Sequence, residues 1–223
     1  TKPLLYRLVN NGWVKVNDGT AFNANPLMGY YVAFFDNNST ITHSGALRQS
    51  AYTYTMNSTT WEMIGNPYHT YIDVENAAFE LNGADKTVYV GLRGLGDVTF
   101  ATYNFGVGVN AKGGSRYIAP GQAFYIHSNT YGATFRLGPD ARTHGDGASL
   151  KSAAFIDDVL RLTLSNATVQ DEQVLVFREI GSDSFSSFYD SEKRFTAGNA
   201  EVSLYTKKSN RSMAFARSAI VLA

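Results

Sequence analysis

The 223-residue chain contains no cysteine and only five prolines. The lack of cysteine excludes a disulfide scaffold, a thiolate zinc site and a cysteine nucleophile. The longest apolar run near the end of the chain, residues 218–223, is far shorter than the roughly 18 residues that cross a bilayer, so no membrane span is predicted. Nineteen basic and nineteen acidic side chains cancel without forming a basic cluster. Nucleic acid is therefore a poor candidate partner.

Aromatic residues are abundant, with 14 Tyr and 14 Phe against 4 Met. Short runs of β-branched and aromatic residues alternate with turn residues, which predicts an all-β fold, a β-sandwich of jelly-roll type. The predicted strands cover residues 4–9, 13–16, 30–35, 52–56, 87–92, 123–127, 159–164 and 172–179. At most one short helix is expected, over residues 72–79.

A loop rich in glycine and polar residues, 143–149, separates an N-terminal lobe from a C-terminal lobe. We expect β lobes over residues 1–147 and 148–223, which together form one or two sandwiches. The first residues include neither an initiator Met nor a leader segment, so we interpret the chain as a processed or excised piece of a longer product.

The clearest strand pattern lies in residues 159–164, where apolar and polar side chains alternate. Leu160, Leu162 and Leu164 share one face, which we expect to face the core, while the polar residues between them face solvent. The next strand, residues 172–179, is predicted to be buried on both faces.

Residues suited to catalysis are scattered. The four histidines are far apart, and Gly113-Gly114-Ser115-Arg116-Tyr117 departs from the nucleophile elbow at its last position. We therefore predict that the protein is not an enzyme.

Two groups of residues suggest ligand binding. Asp183 and Asp190 lie in an oxygen-rich loop that could hold a structural calcium ion, although Asx turns explain the same residues. No cofactor other than this calcium ion is predicted. Separately, Trp13, Tyr30, Tyr31 and Tyr131 are candidates for a sugar-stacking platform, although packing in the core also accounts for aromatic residues.

Three segments resemble conserved blocks of large secreted surface proteins from Bacteroidota. They are Trp61-Glu62-Met63-Ile64-Gly65-Asn66-Pro67-Tyr68, then Ile118-Ala119-Pro120-Gly121-Gln122-Ala123-Phe124-Tyr125-Ile126, and then a third block made of residues 160–162, 171–177 and 185–193. In that family such blocks precede the sorting domain of type IX secretion substrates, within adhesin-like or repetitive jelly-roll regions. The resemblance covers roughly residues 10–206, and it implies export across the outer membrane to the cell surface or the extracellular space.

The residue types in these blocks indicate an architectural role. Gly65, Asn66, Pro67 and Tyr68 combine turn chemistry with a ring that can cover a sheet edge, and Pro120-Gly121 is a type II turn pair. The full set of motif residues is Trp61, Gly65, Asn66, Pro67, Tyr68, Pro120, Gly121 and Phe124.

We expect a non-enzymatic, exported module that builds a cell-surface or extracellular structure, with copies of itself or other surface components as partners. The alternative is a carbohydrate-binding module of a larger secreted protein, with a glycan as ligand.

The terminal segment 211–223 predicts an apolar strand that includes Met213, Phe215, Ile220 and Leu222. Such a strand either completes its own sandwich or pairs with a neighbouring molecule and gives a fibre.

Overall fold

The computed structural model describes residues 4–17, 24–34, 42, 44–57, 59–93, 98–144, 158–165, 170–178, 184–195, 203–208 and 211–219. The chain forms two compact units. Unit 1 comprises Thr1–Ala84 and Tyr117–Gly147, and unit 2 comprises Asp85–Arg116 and Ala148–Ala223. Both consist of β-strands, so the predicted all-β class is confirmed and is consistent with a β-sandwich. The jelly-roll connection order stays a prediction.

Unit 1 is built from antiparallel strands. Its strands are β1 (Leu4–Val9), β2 (Gly12–Asn17), β3 (Tyr31–Ala33), β4 (Tyr52–Thr55), β5 (Trp61–Gly65), β6 (Tyr71–Asp73), β7 (Phe79–Asn82), β11 (Tyr117–Ile118), β12 (Ala123–His127), β13 (Thr134–Leu137) and β14 (Arg142–Thr143). Within the unit the strands pair in the orders β2-β1-β3, β12-β5, β11-β6-β14 and β4-β13-β7.

The core of unit 1 is aromatic. Phe79, Phe124 and Phe135, from β7, β12 and β13, are all buried. The Phe79 and Phe135 rings meet edge to face with centroids 5.0 Å apart, and the Phe124 ring lies 6.1 Å from that of Phe135. Such tilted ring pairs add to the free energy gained from burial alone.

Unit 2 contains the longest strands of the chain. Its strands are β8 (Thr87–Arg93), β9 (Val98–Asn104), β10 (Val109–Ala111), β15 (Asp158–Ser165), β16 (Gln170–Arg178), β17 (Ser191–Glu192), β18 (Thr206–Lys208) and β19 (Arg211–Ala219). They pair in the orders β10-β9-β8 and β15-β16-β19-β17, with β18 also on β19. The β16–β19 pair is parallel, and the other described strand pairs of this unit are antiparallel.

The predicted lobe boundary differs from the structure at residues 85–116. These residues belong to unit 2, although the sequence placed them in the N-terminal lobe. The cause is packing between distant segments: Val174 and Val176 of β16 form a buried cluster with Ala111 of β10. A loop in the sequence cannot reveal that an earlier segment crosses to the later unit.

The leucines of β15 do share one face, but the prediction that they form core was wrong. Leu160, Leu162 and Leu164 are all exposed. In the β15–β16 register, Arg161 lies opposite Val174, so the polar side chains between the leucines share the face of the valine core. A period of two assigns side chains to two faces without saying which face is buried.

The predicted short helix over 72–79 is also absent. Residues 71–73 form β6, residues 79–82 form β7, and a turn joins them. Side-chain oxygens of Asp73 and Asn76 accept hydrogen bonds from the backbone N–H groups of Glu75 and Ala78, and these Asx turns compete with helix formation. Across the described ranges the only helical segment is the 3₁₀ turn Pro139–Ala141. No helix there is long and apolar enough to span a membrane.

The terminal strand β19 lies inside its own sheet. It pairs with β16 and β18 along one side, and with β17 along the other. Met213 is completely buried. This placement corresponds to completion of the chain's own sheet and argues against Met213 and Phe215 as part of an assembly edge, because both edges of the strand are occupied. Ile220 and Leu222 lie outside the described residues.

We predict different costs for truncating the two sets of apolar residues. Phe124→Ala removes a buried ring and should lower the free energy of unfolding by about 3–5 kcal/mol. Leu160→Ala removes an exposed side chain and should change it by about 0.5 kcal/mol. Chemical denaturation of both variants checks this, and equal losses would contradict the assigned core.

Candidate binding surface and structural motifs

The first two motif blocks are neighbours in unit 1. The block that begins at Trp61 forms β5, and the second block forms β11, a turn and β12. The two pair antiparallel, with Ile64 opposite Phe124 and Trp61 opposite His127. The Trp61 and His127 rings lie 4.8 Å apart. The structure therefore brings together two segments that are more than fifty residues apart in the chain.

Asn66, just after β5, connects the two blocks. Its Nδ2 contacts the backbone oxygens of Thr70 at 2.9 Å, Ala119 at 3.0 Å and Ile118 at 3.2 Å. Its Oδ1 accepts the backbone N–H of Tyr68 at 3.0 Å. Two N–H groups serve three acceptors, so one of them is shared. Asn66 is buried, and its side chain is fully engaged by the backbone.

Tyr68 extends this arrangement. It is buried, and its single hydroxyl proton is shared between the backbone oxygens of Ser50 and Leu137, at 2.9 and 3.3 Å. The Arg142 guanidinium lies 5.6 Å from the centre of its ring. Burial raises the pKa of the Tyr68 hydroxyl, with Tyr52 adding to this effect. The residue thus ties distant backbone segments to the end of β5.

The Pro120-Gly121 pair forms the expected turn. Gly121 has a φ of 68°, a left-handed conformation that glycine adopts without steric cost. The Gln122 N–H closes the turn on the Ala119 oxygen at 3.1 Å, and Gln122 Oε1 accepts the Ala119 N–H at 2.9 Å. Pro67 is partly buried between Asn66 and Tyr68.

The third motif block lies in unit 2, where Asp190 forms a buried ion pair. Its two carboxylate oxygens lie 3.1 and 3.2 Å from Lys208 Nζ, and Oδ2 also accepts the Ser186 N–H at 2.7 Å. Asp190 is completely buried. Lys208 is thus the described counterion of Asp190, and the other candidate calcium ligand, Asp183, lies outside the described residues, so the calcium site stays a prediction.

A second buried charge cluster escaped the sequence analysis. Lys193 Nζ lies 2.7 and 2.6 Å from the two carboxylate oxygens of Asp171, and Lys112 Nζ lies 3.1 Å from one of them. The Leu204 N–H also donates to this carboxylate, at 2.7 Å. The spacing of residues in the sequence does not predict this cluster, because Lys112, Asp171 and Lys193 come from three separate segments of the chain.

The charge cluster lowers the pKa of Asp171. Burial by itself raises this pKa, but the hydrogen bond and charge of Lys193, the Leu204 N–H and the charge of Lys112 outweigh it. The pKa therefore lies below its ordinary value of 3.8. The carboxylate stays ionised and holds two cations, which is a structural arrangement.

Exposed aromatic residues meet on the sheet β2-β1-β3 of unit 1. The Trp13 and Tyr31 rings lie 5.5 Å apart at an angle of 47°, and the Tyr6 and Tyr31 rings lie 6.4 Å apart. Trp13 is 46% and Tyr31 47% exposed. We call Tyr6, Trp13 and Tyr31 the aromatic cluster.

The other two candidates for sugar stacking are Tyr30 and Tyr131. Tyr30 is partly buried, and its hydroxyl accepts the Asn25 N–H at 3.2 Å. Tyr131 lies in the turn before β13 and is 74% exposed. The sequence analysis did not identify Tyr6. It lies directly opposite Tyr31 in the β1–β3 register, so the two rings share a face of the sheet.

Comparison with known proteins finds no family model, no curated protein and no solved structure that matches this chain. The resemblance to Bacteroidota surface proteins therefore stays a prediction. Functional assignment rests on the geometry of the chain itself.

We predict that Asn66 organises the fold. Asn66→Ala leaves backbone groups without a partner and should lower the free energy of unfolding by about 1–3 kcal/mol. Asn82→Ala, at an exposed position in β7, serves as control and should have little effect. Thermal and denaturant unfolding measure both. An Asn66→Ala protein as stable as the parent, with ligand binding abolished, would contradict the architectural role.

The depressed pKa of Asp171 predicts a loss of stability in acid. Its contribution is complete above the pKa of the unfolded state and disappears as pH falls through the lower pKa of the folded state. Lys112→Met removes one cause of the depression and raises the folded-state pKa toward that of the unfolded state, so the stability lost in acid should be smaller than in the parent and the loss should be complete at a higher pH. Lys207→Met changes an exposed lysine and provides the control. Unfolding free energies measured across the acid range test this, and identical profiles for all three proteins would contradict it.

Proposed function

We propose that the protein is a non-enzymatic module of the cell surface or extracellular space that binds a glycan through the aromatic cluster of unit 1. The observation that carries this proposal is the contact between the half-exposed rings of Trp13 and Tyr31. An exposed apolar cluster on a folded surface is typical of an interaction site.

The chemistry of the cluster suits a saccharide. A sugar ring presents C–H groups on its faces and hydroxyls at its rim, so it can stack on an aromatic face while its hydroxyls bond to polar neighbours. Trp and Tyr combine an apolar ring with a polar tip for this purpose. Lys15, two residues after Trp13 on the same face of β2, is exposed and lies beside the rings. The 47° angle between the rings favours a ligand with a bend over a flat one.

The use of the buried polar residues supports a non-enzymatic role. Asp171 and Asp190 form ion pairs with lysines, and the side-chain amide of Asn66 forms hydrogen bonds with backbone groups. These side chains are committed to the fold. The predicted export by type IX secretion and the predicted jelly-roll order belong to the same proposal, and both rest on the motif resemblance.

A structural module that assembles with copies of itself is the second candidate. The observation that favours it is an exposed apolar strand at the end of the sheet of unit 2, β15, whereas the terminal strand β19 has neighbours on both sides.

A glycan array followed by titration calorimetry tests the binding proposal. Trp13→Ala should weaken binding of an array hit by at least about tenfold, equivalent to roughly 1.4 kcal/mol. Tyr131→Ala removes an exposed ring outside the cluster and should leave binding unchanged. An array without hits, or equal losses for both variants, would contradict the proposal.

A further inference from the structure

Among the described strands, β15 lies at one edge of its sheet in unit 2. It stands at the end of the sheet order in unit 2, and no other described strand pairs with its outer side. Residues 159–165 are all exposed. A free edge presents backbone N–H and C=O groups that can extend the sheet with another strand.

The edge is also apolar. Val159, Leu160, Leu162 and Leu164 are between 39% and 45% exposed. Proteins commonly protect edges with proline or with charges directed at an approaching strand. Residues 158–165 contain no proline, and Arg161 donates to the backbone oxygen and Oδ1 of Asn110, at 2.8 and 3.0 Å, on the face opposite the leucines.

We propose that this edge pairs with β15 of a second copy of the chain, antiparallel and centred on Leu162. The strand itself points to this partner, because Leu160-Arg161-Leu162-Thr163-Leu164 has nearly the same pattern in both directions. Residues opposite each other in an antiparallel pair share a face. In this register Leu162 meets Leu162 of the second copy, and Leu160 meets Leu164.

Charge selects this register over its neighbours. With Leu162 at the centre, Arg161 lies opposite Thr163 of the second copy. A shift of two residues toward the start of the strand places Arg161 opposite itself, and like charges directly opposite destabilise a pair. A shift of two residues in the other direction leaves Leu160 without a leucine partner.

The pairing has two-fold symmetry and uses one surface on both molecules, so it closes at a dimer. The mode is strand addition, in which backbone hydrogen bonds supply affinity and side chains supply specificity. It is independent of the proposed glycan site, since Leu162 lies in unit 2 and the aromatic cluster in unit 1. Failure of one proposal therefore leaves the other intact.

Analytical ultracentrifugation over a wide concentration series tests the dimer. The parent should reach twice the monomer mass at high concentration, and Leu162→Lys should remain a monomer. Leu92→Lys, at an equally exposed leucine of β8, is the matched control and should still dimerise. Circular dichroism confirms that each variant is folded.

Cysteine cross-linking tests the register, because the chain has no cysteine of its own. Opposite Cα atoms in an antiparallel pair lie about 4.5–5.5 Å apart, within the span of a disulfide. Leu162→Cys should therefore form a disulfide dimer under mild oxidation. In Leu160→Cys the two thiols would lie four residues apart, roughly 13 Å along the strand, so it should not.

A parent that stays monomeric, a dimer that survives Leu162→Lys, or growth into larger assemblies would overturn the proposal. A monomeric parent would leave the edge to a strand from a different protein. Equal cross-linking of Leu160→Cys and Leu162→Cys would overturn the register.

Discussion

The carboxamide of Asn66 is the constraint on which unit 1 depends. At the end of β5 the chain turns away from its ladder, and the backbone oxygens of Ile118 and Ala119 come close to it from 52 and 53 residues away. Buried carbonyls need donors, and only a side chain of this length with both N–H groups and an oxygen satisfies them and the Tyr68 N–H together. Aspartate lacks the donors, and glutamine is one methylene longer.

In unit 2, buried ion pairs connect segments that are distant in the sequence. Asp171 binds Lys193 and Lys112, and Asp190 binds Lys208, so buried lysines hold these segments. Buried ion pairs add little net stability because desolvation is costly, but breaking one leaves an uncompensated charge. Their value lies in permitting one arrangement of the segments.

The polar motif residues hold the fold, and both proposed recognition sites lie on exposed apolar surfaces. The aromatic cluster offers ring faces and polar tips, which suit a hydroxylated ligand, while β15 offers aliphatic side chains and free backbone groups, which suit another strand. A paired molecule would carry two aromatic clusters, and a second glycan contact on the same surface would then become intramolecular.

The sequence by itself determined the all-β class, the positions of several strands such as β1, β8 and β16, and the Pro120-Gly121 turn, because these follow from local alternation and from glycine at a positive φ. Tertiary structure alone decided which face of β15 is covered, since the period of two is the same whichever face packs on Val174. It also decided that residues 85–116 join unit 2, and that the terminal strand lies between β16 and β17. Contacts between distant segments fix these features, and local sequence patterns do not encode such contacts.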